Sequence, residues 1–351
     1  MGKTRYYFTG DNRKVDLYFE GLGFDYIPCP YRFEALCEHG VWRVRGLLEG
    51  STMELPEGSQ GLHYGQQLFE GMKAQTGADG KVYAFRPRDN ARRMAEGAAY
   101  LKGIAVPEDL FVRGIEEVVA ANHPYIPPYG SGAALYLRPM WLGIGDNVGV
   151  KPAARYLFRI FVTPVGPYFH GGFGPEQGKA FMVTRRDRAA PHGSGHVKAG
   201  GNYACSFMPG SEAKAHGYSE ALYLDPKEHR YIDEIGAANF LGLRGDSLLT
   251  PQSSSVLASV TRLSLLQIAS DLLGWTTQER KIALEELGEM DSAACCGTAA
   301  VITWIRRIAD GDRFWDFEFD ERWQVLYDAL VGIQTARRDD PFGWRHEIPI
   351  E

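Results

Sequence analysis

The sequence lacks the features that mark membrane, secreted and nucleic-acid-binding proteins. No stretch approaches the roughly 18 consecutive apolar residues that suggest a membrane-spanning helix. The polar start, MGKTRYYFTGDNRKVD, has no apolar segment typical of a secretory leader. Lys and Arg number 38 against 44 Asp and Glu, and no basic block stands out. We therefore expect a cytoplasmic protein that binds neither membrane nor nucleic acid, because phosphate neutralisation needs a basic surface.

Disulfide and metal-binding patterns are also missing. The sequence has no CxxC or HExxH pattern, and its nine histidines are scattered, so we expect no metal site. The cysteines are odd in number, and two of them are adjacent, which suits a reducing compartment. We interpret them as buried apolar side chains. They are Cys29, Cys37, Cys205, Cys295 and Cys296.

What remains is the composition of a folded globular protein with irregularly mixed strands and helices. The 351 residues are 23% charged and 44% hydrophobic, and about 100–200 residues per domain predicts two domains. A Gly-rich and aromatic stretch, 168–175, separates the halves as a linker. Strand patterns occupy 80–85, 133–138, 156–162 and 180–184, and a helix follows Asp89 as its N-cap. The fold class is therefore α/β or α+β.

The second half continues this mixture. The sequence predicts a helix over about 204–216 that Gly217 ends, and a hairpin from 221–225 and 231–234. Apolar residues at helical spacing predict another helix over 262–273. Strand alternation places Asp233 on the face opposite Glu234, where we expect substitution to be tolerated.

One lysine, Lys198, lies in the glycine-rich segment GSGHVKAGGNY, 193–203. Glycines let a backbone adopt positive φ angles and pass close to a ligand. The segment does not match the phosphate-loop pattern GxxxxGK[ST], because Ala199 follows the lysine. A lysine among small residues is easily desolvated, and a desolvated amine is a nucleophile for carbonyl groups. Lys198 thus fits a covalent amine, a phosphate contact or a solvated loop residue.

Other segments offer groups that could bind an anion. Ser259-Val260-Thr261 precede a predicted helix, whose free N–H groups attract anions. Arg93 lies on a predicted helix, and Thr298 lies in a turn of small residues. Each has a simpler explanation as an N-cap, a solvated charge or a packing turn. With Lys198 and the strand residue Glu234, however, they make the set that pyridoxal 5′-phosphate requires: an amine, phosphate donors and a carboxylate for the ring nitrogen.

Eight stretches of the sequence resemble the class IV aminotransferases, and specifically the branched-chain amino acid aminotransferases. They occur in family order and cover most of residues 60 to 305. The first 50 residues match only loosely. The stretches are LHYGQQLFEGMKA (62–74), AFRPRDNARRM (84–94), LYLRPMWLGIGDNVGVKPA (135–153), VTPVGPYF (162–169), RAAPHGSGHVKAGGNYA (188–204), YIDEIGAAN (231–239), TPQSSSVLASVTRLSL (250–265) and CGTAAVI (296–302).

The resemblance implies the type IV pyridoxal-phosphate fold and a homodimer with shared active sites. It implies a smaller N-terminal α/β domain over 1–165, an interdomain loop over 166–178 and a larger cofactor-binding domain over 179–351. By family position, Lys198 binds the cofactor covalently and then moves a proton. Glu234 pairs with the pyridine nitrogen, and Tyr203 hydrogen-bonds the phenolic oxygen. The remaining cofactor residues are Leu257 on the ring face and Arg93, Val260, Thr261 and Thr298 at the phosphate.

The resemblance also implies where an amino acid and a 2-oxo acid bind. The turn at Thr298 and Ala299 donates N–H groups to the substrate carboxylate. Arg138 lies near the far end of the side-chain pocket. The pocket walls are Phe69, Tyr136 and Tyr168, with Tyr64 and Val150 supplied by the partner subunit.

The sequence departs from the family pattern at several places. Ala258-Ser259 stands where the family usually has Pro-Gly before the phosphate-binding helix, and Gln252 stands where a second proline is common. Thr303-Trp304 replaces a small residue and a proline. Trp304 therefore either packs in the core or reshapes the substrate pocket.

The resemblance implies an enzyme of branched-chain amino acid biosynthesis that transaminates leucine, isoleucine and valine with 2-oxoglutarate. One alternative keeps the fold and cofactor but uses an aromatic or pathway-specific amino acid. D-amino acid aminotransferases and aminodeoxychorismate lyases belong to the same class, but Arg138 and FEGMKA favour the branched-chain enzymes. A cofactor-free binding or scaffold protein is the remaining alternative, and the presence of Lys198, Tyr203 and Glu234 together argues against it.

Overall fold

The predicted mixture of strands and helices is confirmed in a computed structural model, which describes residues 17, 19–166 and 173–350. In chain order the strands are β1 (Tyr31–Glu38), β2 (Val41–Glu49), β3 (Gln67–Phe69), β4 (Met72–Thr76), β5 (Val82–Phe85), β6 (Ala134–Ile144), β7 (Arg155–Val165), β8 (Lys179–Thr184), β9 (Glu220–Leu224), β10 (Ile232–Ile235), β11 (Ala238–Arg244), β12 (Ser247–Pro251), β13 (Thr276–Arg280), β14 (Ser292–Gly297), β15 (Val301–Asp310), β16 (Arg313–Asp316) and β17 (Arg345–Ile348).

The α-helices are mostly short. They are α1 (Gln60–His63), α2 (Pro87–Tyr100), α3 (Glu108–Ala121), α4 (Gly200–Ala204), α5 (Phe207–Ala215), α6 (Val260–Gln267) and α7 (Glu321–Gln334). Short helices of other types lie at Phe19–Gly21, His123–Tyr125, Pro175–Gln177, Ile268–Leu272 and Leu284–Glu289. Within the described ranges, no helix is long and apolar enough to cross a membrane.

The chain folds into two units, the first of which comprises residues 1–170 and 332–351. Its antiparallel sheet has the order β17-β5-β4-β6-β7-β1-β2, and β3 pairs with β6. Helix α3 buries Phe111, Ile115 and Val118 along one face, a spacing that places them on the same side of the helix. Phe111 packs against Phe158 of β7 at a ring-centroid distance of 5.5 Å. The core of this unit therefore lies between α3 and the sheet.

The end of the chain differs from the predicted domain division. We expected residues 179–351 to form one larger C-terminal domain, but β17 pairs antiparallel with β5 of the first sheet. The last residues therefore belong to the first unit, which is the larger of the two. A pairing between strands so far apart in the chain leaves no local pattern. The predicted loop over 166–178 includes residues 167–172, which lie outside the described residues.

The second unit, residues 171–331, is built around a ring of paired strands. β8, β9, β10, β11, β14 and β15 each pair with the next, and β15 pairs with β8 to close the ring. β12, β13 and β16 extend the sheet outside it. Each of the six strands contributes to one buried apolar cluster, through Phe181, Leu222, Ile235, Phe240, Cys295 and Ile305. This filled ring is the rigid support for the residues described below.

Predicted elements of the second half are found with shifted ends. β9 and β10 form the predicted antiparallel pair. The helix expected over 204–216 is found as α5, which begins three residues later, and the separate short helix α4 precedes it. The helix expected to begin at Arg262 begins at Val260 and continues as a π-helical turn, Ile268–Leu272. In the first unit, α2 begins at Pro87 rather than after Asp89, because proline suits the first helical position.

Candidate active site

Lys198 lies in a loop that its own neighbours hold in place. Asn202, at the start of α4, donates from its Nδ2 to the carbonyls of Ser194 at 2.6 Å and Val197 at 2.7 Å. A Cβ at Gly195 would lie 2.3 Å from the carbonyl oxygen of Ser255, so this position requires glycine. The glycine-rich segment is thus an ordered loop that fixes the backbone at Lys198.

The amine of Lys198 faces Tyr203. Lys198 Nζ donates to Tyr203 Oη at 3.0 Å and lies 5.1 Å from the centre of the ring. Both side chains are partly buried. Lys198 precedes α4 and Tyr203 lies in it, and the helical turn between them brings the tyrosine hydroxyl close to the lysine amine. The two residues assigned to the cofactor's carbonyl side therefore lie in contact.

Glu234 is a buried carboxylate on β10 with several partners. Its Oε1 accepts a hydrogen bond from the backbone N–H of Leu257 at 2.7 Å. Its Oε2 lies 2.8 Å from Nε of Arg188, and Asn239 Nδ2 lies 3.5 Å from Oε1. Burial raises the pKa of Glu234, and the positive charge of Arg188 opposes that shift. The carboxylate is therefore oriented by donors on two sides.

Asp233 differs from its prediction. We expected it on a tolerant face of β10, but its side chain is only 5% exposed, because β10 is covered on both faces. Burial raises the pKa of Asp233 to about 7, while a hydrogen bond from Ser253 opposes the rise. Substitution of Asp233 by a residue of another shape is therefore not expected to be tolerated.

Sequence reasoning missed three residues of these networks. Arg188 pairs with Glu234, Asn202 fixes the lysine loop, and Glu70 pairs with Arg93. All three lie in stretches that match the family, but each acts through a fold contact that no local pattern shows. Their buried ion pairs and amide contacts become visible only in three dimensions.

The predicted phosphate-binding groups of the second unit lie at two turns. Ser259 is the N-cap of α6, and its hydroxyl accepts from the N–H of Arg262 at 3.3 Å. Glycine, which the family usually has here, could not make this bond. The N–H groups of Val260 and Thr261 lie in the first turn of α6, where backbone donors lack partners within the helix. Leu257 is buried just before that helix, and its carbonyl accepts from Asn239 at 3.3 Å.

The second turn joins β14 to β15. Thr298 and Ala299 are partly buried in it, between the paired residues Gly297 and Val301. Val301 has a φ of 59°, a conformation that costs a β-branched residue free energy. This tight turn presents the threonine hydroxyl and adjacent N–H groups together.

Trp304 packs in the core of the second unit, the first of the two alternatives. Its indole Nε1 donates to the carbonyl of Gly174 at 2.9 Å, and its ring lies edge-on to Phe319 at 5.6 Å. A Cβ at Gly178 would lie 2.3 Å from the indole ring, so glycine there makes room for the tryptophan.

In the first unit, Arg93 of α2 is held by a buried carboxylate. Its Nε and one terminal nitrogen donate to the two oxygens of Glu70, at 2.8 and 2.5 Å. The side chain of Glu70 is fully buried, and Asn90 Oδ1 accepts from the same terminal nitrogen at 3.3 Å. Bidentate pairing of this kind fixes the plane of the guanidinium.

Three predicted pocket residues of the first unit lie in contact. The guanidinium of Arg138 lies 4.8 Å from the ring centre of Phe69 and 5.3 Å from that of Tyr136. One terminal nitrogen donates to Tyr136 Oη at 3.1 Å. Arg138 Nε is buried and has no hydrogen-bond partner among the described residues. A buried unpaired donor is costly, so this arrangement suits an anionic ligand group.

The two residues assigned to the partner's site lie on the surface of the first unit. Val150 is 85% exposed and Tyr64 44% exposed. The hydroxyl of Tyr64 donates to the carbonyl of Val148 and so connects the end of α1 to the loop between β6 and β7. Tyr168, assigned to the pocket wall, lies outside the described residues.

The chain is similar to known aminotransferases. Residues 67–308 match the family model for class IV aminotransferases. The chain is 44% identical over 335 residues to a branched-chain-amino-acid aminotransferase of Helicobacter pylori, covering 95% of this chain and 98% of that protein. It is 46% identical over 341 residues to the Haemophilus influenzae protein of the same name, covering 94% and 98%. A solved structure of the Escherichia coli branched-chain amino acid aminotransferase superposes with a TM-score of 0.75 at 26% identity, covering 91% of this chain and 99% of that one. The chain belongs to the class IV aminotransferase family.

Proposed function

We propose that this protein is a pyridoxal-phosphate-dependent aminotransferase that transfers the amino group of leucine, isoleucine and valine to 2-oxoglutarate. The products are the branched 2-oxo acids and L-glutamate. The observation that carries the proposal is the network of Lys198, Tyr203, Arg188 and Glu234 within the second unit. Sequence identity of 44–46% to relatives named for this activity supports the substrate class.

The residues of the second unit fit the chemistry of pyridoxal phosphate. The amine of Lys198 can attack a carbonyl carbon, and Tyr203 can donate to a phenolic oxygen beside that carbon. Glu234 offers a buried carboxylate to a protonated ring nitrogen, and Leu257 is an apolar neighbour for the ring face. When bound, the cofactor supplies a covalent link to the amino group and a ring that withdraws electrons from the substrate Cα.

The chain's own residues supply binding and proton transfer. With cofactor and substrate bound, the amine of Lys198 would be placed to take a proton from the substrate Cα and to return it to the cofactor carbon that carries the amino group. Tyr203 limits where that amine can move, since its hydroxyl lies 3.0 Å away. The N–H groups at Thr298 and Ala299 hold the substrate carboxylate in this scheme. Glu234 and Arg188 are buried, so their electrostatic interactions are screened little by water.

Arg138 explains how one pocket can bind both the branched-chain amino acid and glutamate. Leucine carries methyl groups where glutamate carries a carboxylate, and the two bind in turn at the same position. The rings of Phe69 and Tyr136 suit the methyl groups. The unpaired Nε of Arg138 suits the carboxylate.

We expect Arg138→Met to weaken the reactions of glutamate and 2-oxoglutarate selectively. A charge-assisted hydrogen bond contributes roughly 1.5–3 kcal/mol, so kcat/KM for these two should fall about 10- to 150-fold. The leucine half-reaction should change much less, because it places no charge beside residue 138. Single-turnover half-reactions measure the two substrates separately. Equal losses for leucine and glutamate would show that Arg138 only supports the fold.

We also propose that the protein is a homodimer of the cytoplasm. Four apolar side chains lie exposed at α1 and in the loop between β6 and β7, which Tyr64 contacts: Leu62 at 56%, Tyr64 at 44%, Val148 at 88% and Val150 at 85%. An exposed apolar patch of this kind favours an interface with a second copy. All five cysteines are free thiols, as is usual in a reducing compartment. Four of them are buried as expected, but Cys205 is exposed, so its interpretation as a buried side chain is wrong.

Val150→Asp should weaken the dimer and lower activity with it, because the charge would be buried at the interface. Light scattering after size-exclusion chromatography measures the mass. Val41→Asp, at a 57% exposed position of β2, is the matched control and should leave the dimer intact. A wild-type mass of one chain, or unchanged mass in the Val150 variant, would contradict the proposed interface.

A further inference from the structure

Arg188 is a buried side chain that contacts both Glu234 and Tyr203. The residue follows β8, and its side chain is 6% exposed. Its Nε lies 2.8 Å from Glu234 Oε2 and also donates to the carbonyl of Gly236 at 3.3 Å. Its guanidinium carbon lies 5.4 Å from the ring centre of Tyr203. One side chain thus contacts the partner of the ring nitrogen and the partner of the phenolic oxygen.

Glu234 needs a positive neighbour to act as a carboxylate in this environment. Its side chain is 3% exposed, and burial favours the neutral acid. A neutral acid stabilises a proton on a pyridine nitrogen much less than a carboxylate does, because it carries no charge. Among the described residues, Arg188 is the one cation in ion-pair contact with Glu234. The N–H of Leu257 adds a neutral donor on the other oxygen.

Tyr203 depends on the same guanidinium. The cation lies over the face of the tyrosine ring, an attractive arrangement for the ring's electron-rich face. The hydroxyl of that ring accepts from Lys198 at 3.0 Å. Movement of Arg188 would therefore disturb Glu234 and Tyr203 together.

We propose that Arg188 is a positioning residue that keeps Glu234 charged and aimed at the cofactor's ring nitrogen while holding Tyr203 beside Lys198. The proposal rests on the role proposed above for Glu234. Its distinctive consequence is that Arg188 selects cofactors whose ring nitrogen can be protonated. A residue that only supported the loop would affect every cofactor equally.

The test compares two cofactors that differ at one atom. Apoenzyme is titrated with pyridoxal 5′-phosphate and with 1-deaza-pyridoxal 5′-phosphate, in which C–H replaces the ring nitrogen, and binding is followed by absorbance and protein fluorescence. The ratio of the two dissociation constants is the nitrogen preference. In Arg188→Met we expect this preference to fall about 10- to 150-fold, the effect of one charge-assisted hydrogen bond, with little change for the deaza compound.

Four further variants make the result decisive. Glu234→Gln should lose the same preference, and the double variant should lose no more than either single variant, because both act on one contact. Arg188→Lys should restore part of the preference, since it keeps the charge. Arg188→Gln and Arg188→Lys also serve if the methionine variant does not fold.

The outcomes separate the two proposals. Unchanged preference in Glu234→Gln would overturn the role of Glu234 itself. Lost preference in Glu234→Gln with full preference in every folded Arg188 variant would overturn the role of Arg188 alone. Equally weaker binding of the two cofactors to the Arg188 variants would also overturn the role of Arg188, because it would show that this residue only supports the loop.

Discussion

Replacing Lys198 by alanine should abolish nearly all turnover while leaving the fold intact. The side chain lies in a loop held by Asn202, whose contacts to Ser194 and Val197 use the backbone rather than the lysine. Lys198→Ala therefore removes the nucleophile and the group that moves the proton, together with the contact to Tyr203, but leaves the contacts of Asn202 to the loop backbone in place. General acid–base catalysis alone contributes up to about 10⁴-fold, so we expect kcat to fall on the order of 10⁴-fold or more.

Absorbance and peptide mapping test this assignment directly. The variant can still bind cofactor without a covalent link, but the absorbance of the lysine-bound cofactor should be absent. Borohydride reduction of the wild type should fix a pyridoxyl group on Lys198. Lys214→Ala is the matched control, because this lysine side chain is 66% exposed and should be dispensable. A label on a lysine other than Lys198 would contradict the assignment.

The residues predicted best from the sequence are those that local chemistry defines. The glycines around Lys198 indicate a backbone in close contact with other groups, and Gly195 indeed faces the carbonyl of Ser255. The hairpin of β9 and β10 could be recognised from two short runs of strand-forming residues, so Glu234 could be placed on a strand. Ser259 could be recognised as an N-cap.

The features that sequence reasoning missed depend on contacts between distant segments. β17 joins the first sheet through pairing with β5, which no pattern at the C-terminus indicates. In the sequence Arg188 resembles any loop arginine, and only the structure shows that β10 places Glu234 beside it. Trp304 could not be assigned to core or pocket, because the answer depends on the space that Gly178 leaves. The observed helix ends differ from the predicted ones for a related reason, since tertiary packing overrides the local helix preference of the residues.

Replacing Glu234 by glutamine should lower kcat on the order of 100- to 1000-fold, the effect of removing one preorganised electrostatic contact at the reacting system. Glutamine keeps the shape of the side chain and can still accept from the N–H of Leu257. It carries no charge, however, so the ring nitrogen would lose its proton and the electrons released at Cα would be stabilised poorly. Asp233→Asn is the matched control: this neighbouring carboxyl group is also buried, and its pKa of about 7 makes the neutral form common near neutral pH. We expect this control to keep most of the activity, and cofactor to remain bound in both variants. Wild-type kcat in Glu234→Gln, or equal losses in the two variants, would show that the charge of Glu234 has no special role in the reaction.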